Sequence, residues 1–238
     1  LDGRDTLLVL PTGGGKSVCY QLPPLVRDRP AIVLSPLVSL MKDQVDSLRA
    51  NGVPAAALHG LLSDEEKRDV LREFVHGRIP VLYLAPERLA LGSLISILAA
   101  AEPCLVAIDE AHCISQWGHD FRPEYRRLRP IIEQIADCPI MALTATATPK
   151  VQQDIQKNLG MLNAKLFKAS FNRANLYYEI RAKANVGKQI IQYIKANSGK
   201  SGIIYCLSRK KTEEIAELLQ VNGIKALPYH AGMDSGQR

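Results

Sequence analysis

Residues 7–17 read LLVLPTGGGKS, and this stretch decides the fold. The apolar run Leu7–Leu10 predicts a buried strand, and the glycine-rich segment after it ends in Lys16 and Ser17, which open a helical stretch. This order is typical of a phosphate-binding loop, because glycines let backbone N–H groups turn inward around phosphate oxygens. The pattern predicts that Lys16 reaches the β- and γ-phosphates of a nucleotide and that Ser17 ligates Mg²⁺.

This loop supplies the candidate nucleotide-binding residues, which are Thr12, Gly13, Gly14, Gly15, Lys16 and Ser17. It departs from the strict G-x-x-x-x-G-K-[ST] pattern at one position, because Leu10 stands where the first glycine is expected. A glycine-rich turn with an incidental lysine is the alternative. The agreement of strand, turn, Lys-Ser pair and helix favours phosphate binding.

Outward from the loop, short apolar runs alternate with longer amphipathic stretches, as in a parallel sheet with crossover helices. The predicted strands are Leu7–Leu10, Ala31–Ser35, Ala55–His59, Pro80–Ala85, Leu105–Ile108 and Ile140–Thr144. A capping box at Ser63–Glu66 opens one helix, Asn51-Gly52 ends another, and Thr148-Pro149 opens a third. The expected fold class is therefore α/β.

The same pattern starts again near residue 174, which predicts two domains, 1–174 and 175–238. The predicted elements of the second are strands at Leu176–Arg181 and Ser201–Cys206 and helices at Val186–Ala196 and Lys210–Gln220. A turn at Asn222-Gly223 leads into Lys225–Tyr229. These are too few strands for a whole domain, so we expect the second domain to be incomplete. The chain also lacks an initiator methionine, so we expect a fragment of a longer protein.

Composition excludes several classes of protein. The 238 residues are 47% hydrophobic, enough for a large core, yet no apolar run approaches the roughly 20 residues that cross a bilayer. No signal peptide opens the chain, so we expect no membrane contact. The five cysteines are widely spaced without a C-x-x-C pair, which argues against a disulfide framework or zinc knuckle and favours a reducing compartment.

The chain is moderately basic, with a net charge of +6. An ordinary protein with a mild excess of lysine and arginine and a nucleic-acid-binding protein both fit this value. Clustering favours the second, because 195–212 carries five positive residues and no acid, and 122–130 carries four arginines against Glu124 alone.

A second motif follows the apolar strand Leu105–Ile108, where Asp109 and Glu110 stand at its carboxyl end. Ligands bind at that edge of α/β sheets. The pattern predicts that Asp109 holds Mg²⁺ and that Glu110 activates the attacking water. His112, two residues on, is interpreted as a coupling residue that hydrogen-bonds toward residues 144–146; a purely structural histidine is the alternative.

Three motifs together resemble superfamily 2 helicases: TGGGKS at 12–17, DEAH at 109–112 and TAT at 144–146. In that resemblance, Lys16, Asp109, Glu110 and His112 form the catalytic group. Helicase-type loops also commonly relax the glycine position that Leu10 occupies here.

More specific stretches are similar to RecQ-type DNA helicases. They are SPLVSLMKDQ at 35–44, APERL at 85–89, SFNR at 170–173, YHAG at 229–232 and, above all, the aromatic-rich SQWGHDFRPEY at 115–125. The resemblance covers essentially the whole chain. Expected family features beyond it are an upstream glutamine motif, later arginines, and zinc-binding and winged-helix modules.

The resemblance implies two RecA-like P-loop NTPase domains with parallel sheets, the second incomplete, in an ATP-dependent 3′–5′ DNA helicase of DNA repair and recombination. It implies ATP and Mg²⁺ as cofactors, with no zinc in this part of the protein. The implied partners are single-stranded and partially duplex DNA and a single-strand-binding protein. The implied location is the cytoplasm of a bacterium or the nucleus of a eukaryote.

The resemblance also gives candidate DNA-binding and coupling residues: Ser35, Gln116, Trp117, His119, Phe121, Arg122, Thr144, Thr146 and Arg209. Trp117 would stack on a base, with packing of its own loop as the alternative. Arg122 would contact phosphate or an aromatic ring. For Ser35 the alternative is helix capping, and for Arg209 a solvated charged face.

Two other functions remain open from the sequence. One is an RNA helicase of the same superfamily, against which residues 115–125 argue. The other is a nucleic-acid-binding module that does not turn over ATP.

Overall fold

The computed structural model describes residues 2–90, 92–118, 120–170, 172 and 175–234. The chain separates into two units, Leu1–Arg173 and Ala174–Arg238. Among the sequence predictions, His119, Phe171, Arg173 and the boundary at 174 lie outside the described residues.

The first unit is built on one parallel sheet. Its strands are β1 (Thr6–Val9), β2 (Ala31–Leu34), β3 (Ala55–Leu58), β4 (Val81–Leu84), β5 (Leu105–Ile108), β6 (Ile140–Thr144) and β7 (Lys165–Lys168). Their order is β3-β4-β2-β5-β6-β1-β7, and each neighbouring pair is parallel. The six strands predicted from the sequence are confirmed within one residue at each end, whereas β7 was not predicted.

Helices connect these strands. In the first unit they are α1 (Lys16–Arg27), α2 (Val38–Ala50), α3 (Asp64–Val75), α4 (Gly92–Ala100), α5 (Leu128–Ile135) and α6 (Pro149–Asn158). Short 3-10 turns cover Pro86–Ala90, Ala111–Ile114 and Pro123–Arg127. The predicted capping box is confirmed, because Ser63 Oγ accepts from Glu66 N while the Glu66 carboxylate accepts from Ser63 N. Thr148 caps α6 by accepting from Val151 N.

The sheet is buried on both faces, which explains its continuous apolar strands. Neighbouring residues of a strand point to opposite faces. Thus Ile32 and Leu34 join one apolar cluster, and Ala31 and Val33 join the other, and all four are buried. Every strand between the two edges is therefore held from above and below, which fixes the positions of the loops at its carboxyl end.

The second unit differs from the expectation of a partial parallel sheet. Its helices α7 (Val186–Ala196) and α8 (Arg209–Val221) confirm the predicted helices, but the described residues 175–234 contain no strand. The two predicted strand segments stay unpaired, and large apolar side chains along them are exposed, such as Ile180 and Tyr205. A strand requires a hydrogen-bonded neighbour, and none of the described segments of this unit supplies one.

Candidate nucleotide and nucleic-acid site

The glycine-rich loop lies between the end of β1 and the start of α1. Leu10 N donates to Thr144 O at 3.1 Å, which ties the start of the loop to the end of β6. Gly13 and Gly15 adopt left-handed backbone conformations, with φ of 78° and 76°. A Cβ on Gly14 would lie 2.8 Å from Pro11 O, so the turn leaves no room for a side chain. These three glycines are therefore required by the backbone itself.

The amino end of α1 is suited to an anion. Gly15 stands at the N-cap and gives no side-chain hydrogen bond to the first turn. The first N–H groups of a helix lack partners within the helix and carry its positive dipole end, so they favour phosphate. Lys16 Nζ lies over the same loop and donates to Leu10 O at 3.2 Å and to Pro11 O at 3.4 Å. Ser17 follows directly and is half-buried.

The acidic pair lies at the carboxyl end of β5. Asp109 N donates to Leu34 O at 2.8 Å, so the strand pairing continues to this residue. Glu110 is left-handed, with φ of 48°, which is uncommon for a residue other than glycine. The chain thus turns out of the strand between Asp109 and Glu110. Neighbouring residues of a regular strand point to opposite faces, so this turn allows both acids to serve one site.

Burial and the neighbouring Glu110 carboxylate together raise the pKa of Asp109 to about 6. Loss of water around Asp109 and the nearby Glu110 carboxylate therefore both disfavour the charged form of Asp109. Among the described residues, no cluster of three or more His, Cys, Asp or Glu side chains is arranged to hold a metal ion. A site made of one or two carboxylates, a hydroxyl and substrate phosphates is the kind that Mg²⁺ uses.

His112 joins the acidic motif to β6. Its ring is buried, and Nδ1 lies 3.0 Å from Thr144 Oγ1 and 3.2 Å from Glu110 Oε2. Thr144 Oγ1 donates to Thr146 O and accepts from Thr146 N. Because the hydroxyl proton of Thr144 is directed to Thr146, Nδ1 of His112 carries the proton in this contact. The predicted hydrogen bond from His112 toward residues 144–146 is confirmed; its coupling role stays a prediction.

Ser35 lies at the carboxyl end of β2, at the same edge, and its side chain is buried. The capping alternative is wrong, because the N-cap of α2 is Leu37, which makes no side-chain cap. In this structure the Ser35 backbone N–H is used in the sheet, donating to Leu84 O at 3.1 Å.

The aromatic loop, residues 115–125, follows the Ala111–Ile114 turn. Its tryptophan, Trp117, is 63% exposed, which favours stacking on a base over the packing alternative. Gln116 is exposed, and Phe121 is half-buried with the guanidinium of Arg126 5.1 Å from its ring centre. The loop therefore offers an accessible aromatic surface, as stacking on a base requires.

In this structure Arg122 contacts acceptors of the protein itself, and its contact with phosphate or an aromatic ring stays a prediction. Its guanidinium donates to the Asp120 carboxylate at 3.2 Å and to Pro36 O at 3.1 Å, and it lies 3.8 Å from Glu87. These contacts tie the aromatic loop to the segments after β2 and β4. The physical reason is that a half-buried guanidinium takes its nearest acceptors, which here belong to the protein.

The arginine-rich stretch 122–130 is likewise occupied internally. Arg126 donates to Ile114 O, and Arg129 pairs with Glu133 and Asp5. Three of the four arginines in this stretch, Arg122, Arg126 and Arg129, therefore make contacts within the protein.

Arg209 begins α8 in the second unit and is exposed. The cap of this helix is Ser208, whose hydroxyl accepts from Lys211 N. Arg209 therefore stays a candidate DNA contact of the second unit.

The structure adds residues that sequence reasoning missed. Tyr125 is buried and its hydroxyl donates to Asp109 O at 3.3 Å. Gly118 approaches the backbone so closely that a Cβ would lie 2.6 Å from His112 O. The sequence could have indicated Gly118, because it shows a glycine inside an aromatic loop. It could not have indicated the hydrogen bond of the Tyr125 hydroxyl, because that bond joins residues of different elements.

None of the helices in the described part of the chain combines the length and apolar character needed to cross a membrane.

Comparison with known proteins gives one consistent result. Residues 1–155 match the family model described as DEAD/DEAH box helicase. Over its whole length the chain is 47% identical to the ATP-dependent DNA helicase RecQ of Haemophilus influenzae, and over 97% of its length it is 44% identical to that of Bacillus subtilis. It spans only 38% and 39% of these two relatives.

Solved structures share the fold. The helicase MrfA bound to DNA matches 99% of this chain and 37% of its own, with a TM-score of 0.72 at 19% identity. The Mycobacterium smegmatis helicase Lhr bound to single-stranded DNA and AMP-PNP matches the whole chain and 35% of its own, with a TM-score of 0.63, also at 19% identity.

Proposed function

The chain belongs to the DEAD/DEAH box helicase family. We propose that it is the motor core of an ATP-dependent DNA helicase that moves 3′ to 5′ on single-stranded DNA. The observation that carries this proposal is the meeting of three motifs at one sheet edge. There the glycine-rich loop follows β1, the acidic pair follows β5, and β6 between them brings Thr144 against His112. The names of the RecQ relatives support DNA as the substrate.

In this proposal the chain's own residues prepare the phosphates and the water. Backbone N–H groups of the loop and the amino end of α1 bind phosphate oxygens, and Lys16 turns from its loop carbonyls to neutralise the γ-phosphate. Glu110 orients the attacking water and accepts its proton. Ser17 and Asp109 would hold Mg²⁺, whose charge offsets that of the phosphates and of the acidic pair.

Hydrolysis is linked to DNA through His112 in the same proposal. Nδ1 of its imidazole lies against both the Glu110 carboxylate and the Thr144 hydroxyl, so a shift of either partner alters the contact with the other. The aromatic loop begins right after the turn that holds His112, and its exposed indole stacks on bases without regard to sequence. Contacts to DNA phosphates supply much of the remaining affinity and make it salt-dependent.

The wider assignments follow from the same proposal. Residues 1–174 form the first RecA-like domain and 175–238 part of the second, which the separation into two units supports. A single-strand-binding protein is the proposed protein partner, because it would bind the same single-stranded DNA. The five free cysteines support a reducing compartment that contains DNA, in the cytoplasm or the nucleus.

The test is hydrolysis of ATP by the full-length protein with and without single-stranded DNA. We expect DNA to stimulate hydrolysis, and Lys16→Ala to lower it by orders of magnitude because the γ-phosphate loses its cation. DNA binding without nucleotide should survive in that variant. Lys157→Ala, an exposed lysine on α6, is the matched control and should hydrolyse ATP normally.

Near-normal hydrolysis by Lys16→Ala would refute the phosphate-loop assignment. If RNA but not DNA stimulated ATP hydrolysis, the protein would be an RNA helicase instead. Binding of DNA without any hydrolysis would leave a nucleic-acid-binding module.

A further inference from the structure

Helix α6 touches the aromatic loop at two points that the proposed mechanism does not use. Ser115 Oγ donates to Asp154 Oδ2 at 2.7 Å. The ammonium of Lys150 lies 3.1 Å from the ring centre of Trp117. Lys150 and Asp154 are four residues apart, so they project from the same face of the helix.

The contact of Asp154 is a fixed anchor. Ser115 is fully buried, and its hydroxyl also accepts from Trp117 N at 3.2 Å. The Ser115 hydroxyl donates its hydrogen bond to the Asp154 carboxylate, so an oxygen lone pair is free to accept from the Trp117 backbone N–H. A short hydrogen bond to an ionised acceptor is stronger than a neutral one. Asp154 therefore fixes the backbone from which the indole projects.

The contact between the Lys150 ammonium and the Trp117 ring can be displaced by another group. Both Lys150 and Trp117 are exposed, and a cation over an exposed ring is held weakly. A nucleobase that stacks on this indole face must take the place of the ammonium, and stacking on an aromatic side chain is the stronger interaction.

The position of α6 in the chain connects these contacts to the nucleotide side. The helix begins at Pro149, three residues after Thr146, whose backbone bonds with the Thr144 hydroxyl. Thr144 in turn lies against His112. One short segment thus leads from the partner of His112 to both contacts with the aromatic loop.

We propose that Asp154 and Lys150 are positioning residues of the aromatic loop: Asp154 anchors its backbone through Ser115, and Lys150 covers the Trp117 ring until a base displaces it. The second part rests on the proposed function, because the displacing group is a base of single-stranded DNA. The first part rests on the geometry alone.

Lys150 is tested by Lys150→Met in the full-length protein, with Lys157→Met as its matched control. Both variants remove one positive charge from α6, but Lys157 is exposed near the other end of the helix. Trp117 is the only tryptophan of these 238 residues, and subtracting the spectrum of a Trp117→Phe protein isolates its emission.

We expect Lys150→Met to raise the Trp117 emission without DNA, since a protonated amine in contact with an indole quenches it. Its affinity for an oligothymidylate should be about two- to five-fold higher than that of Lys157→Met, the factor that an exposed cation–π contact represents. Equal emission and equal affinity in the two variants would overturn the covering role.

Asp154 is tested by the DNA concentration that half-stimulates ATP hydrolysis. Asp154→Ala should raise it at least five-fold, while hydrolysis without DNA stays unchanged. Asp154→Asn keeps a carbonyl that accepts from Ser115 and should recover most of the loss. Ser115→Ala should lose at least as much, because it also removes the contact with Trp117 N. The double variant should add nothing to Ser115→Ala, because the hydrogen bond of Asp154 is already absent there.

Normal stimulation of Asp154→Ala, or additive losses in the double variant, would overturn the anchor. Failure of the proposed function appears elsewhere, as absent DNA stimulation in the unmodified protein. The Lys150 emission experiment needs neither DNA nor ATP, so the two failures are distinguishable.

Discussion

Asp109 shows how a single residue can serve a site at the expense of the fold. Its folded-state pKa of about 6 lies above the ordinary value of 3.8, chiefly because of burial and then because of Glu110. Ionisation therefore disfavours the folded state: the penalty is complete above pH 6 and disappears below about pH 4. A residue kept in spite of such a penalty is typical of a functional site.

We therefore predict that Asp109→Asn stabilises the protein when nucleotide and metal are absent. The difference between the two pKa values corresponds to a gain of at most about 3 kcal/mol at pH 8, falling to about half by pH 5. The amide can still accept the hydrogen bond from Glu110 N, so the change removes mainly charge. Urea unfolding of both proteins between pH 5 and 8 measures it.

The control is Asp43→Asn, an exposed carboxylate on α2. It should shift stability by less than about 0.5 kcal/mol. A destabilised Asp109→Asn protein at pH 8 would show that the carboxylate contributes to the fold rather than only to the site.

At the scale of elements, the aromatic loop is where accessibility and anchoring combine. Trp117 is exposed while Ser115 and Tyr125, on either side of it, are fully buried. The loop is thus fixed at both ends and presents its indole between them. This arrangement suits a sensor of bound DNA better than a packing anchor.

Trp117→Ala should accordingly abolish most of the DNA stimulation of ATP hydrolysis and leave nucleotide affinity nearly unchanged. The loss of DNA affinity should be modest, because one stack contributes about 1–3 kcal/mol and phosphate contacts supply much of the rest. Hydrolysis at saturating DNA, nucleotide affinity and melting temperature are measured on the same variant. A strongly lowered melting temperature together with weaker nucleotide binding would instead assign the indole to packing.

Elements differed in how well the sequence predicted them. The buried strands were found because both faces of the sheet demand apolar residues, so β5 appears as an unbroken run. The edge strand β7 reads KLFK with all four residues exposed, and its one partner is β1, so no burial pattern marks it. In 175–234 the apolar runs predicted strands, but a run cannot tell whether a partner strand is present.

The candidate site was predictable for a reason that belongs to the whole sheet. Parallel strands end at one edge, so motifs that follow strands meet there whatever their separation in sequence. The sequence could not give the strand order that places β6 between β1 and β5, nor the docking of α6 that brings Asp154 to Ser115. Those contacts join residues of different elements, and only packing decides them.

At the scale of the whole molecule, the two units differ in what holds them together. Both large apolar clusters belong to the first unit. In the second, the buried apolar residues among 175–234 are Ile215, Ala216 and Leu219, all on α8. Because burial of apolar surface is the main favourable term in folding, the first unit should carry nearly all of the cooperative stability.

We predict that residues 1–173 alone unfold in one cooperative transition, with a melting temperature and nucleotide affinity close to those of the 238-residue chain. Residues 174–238 alone should show helical signal from α7 and α8 but no cooperative transition, because so few apolar side chains are buried to offset the entropy of ordering the chain. Circular dichroism during heating, with calorimetry on the same samples, measures both. A sharp calorimetric transition in 174–238, or loss of nucleotide binding in 1–173, would contradict this division, since every residue of the candidate nucleotide site lies in the first unit.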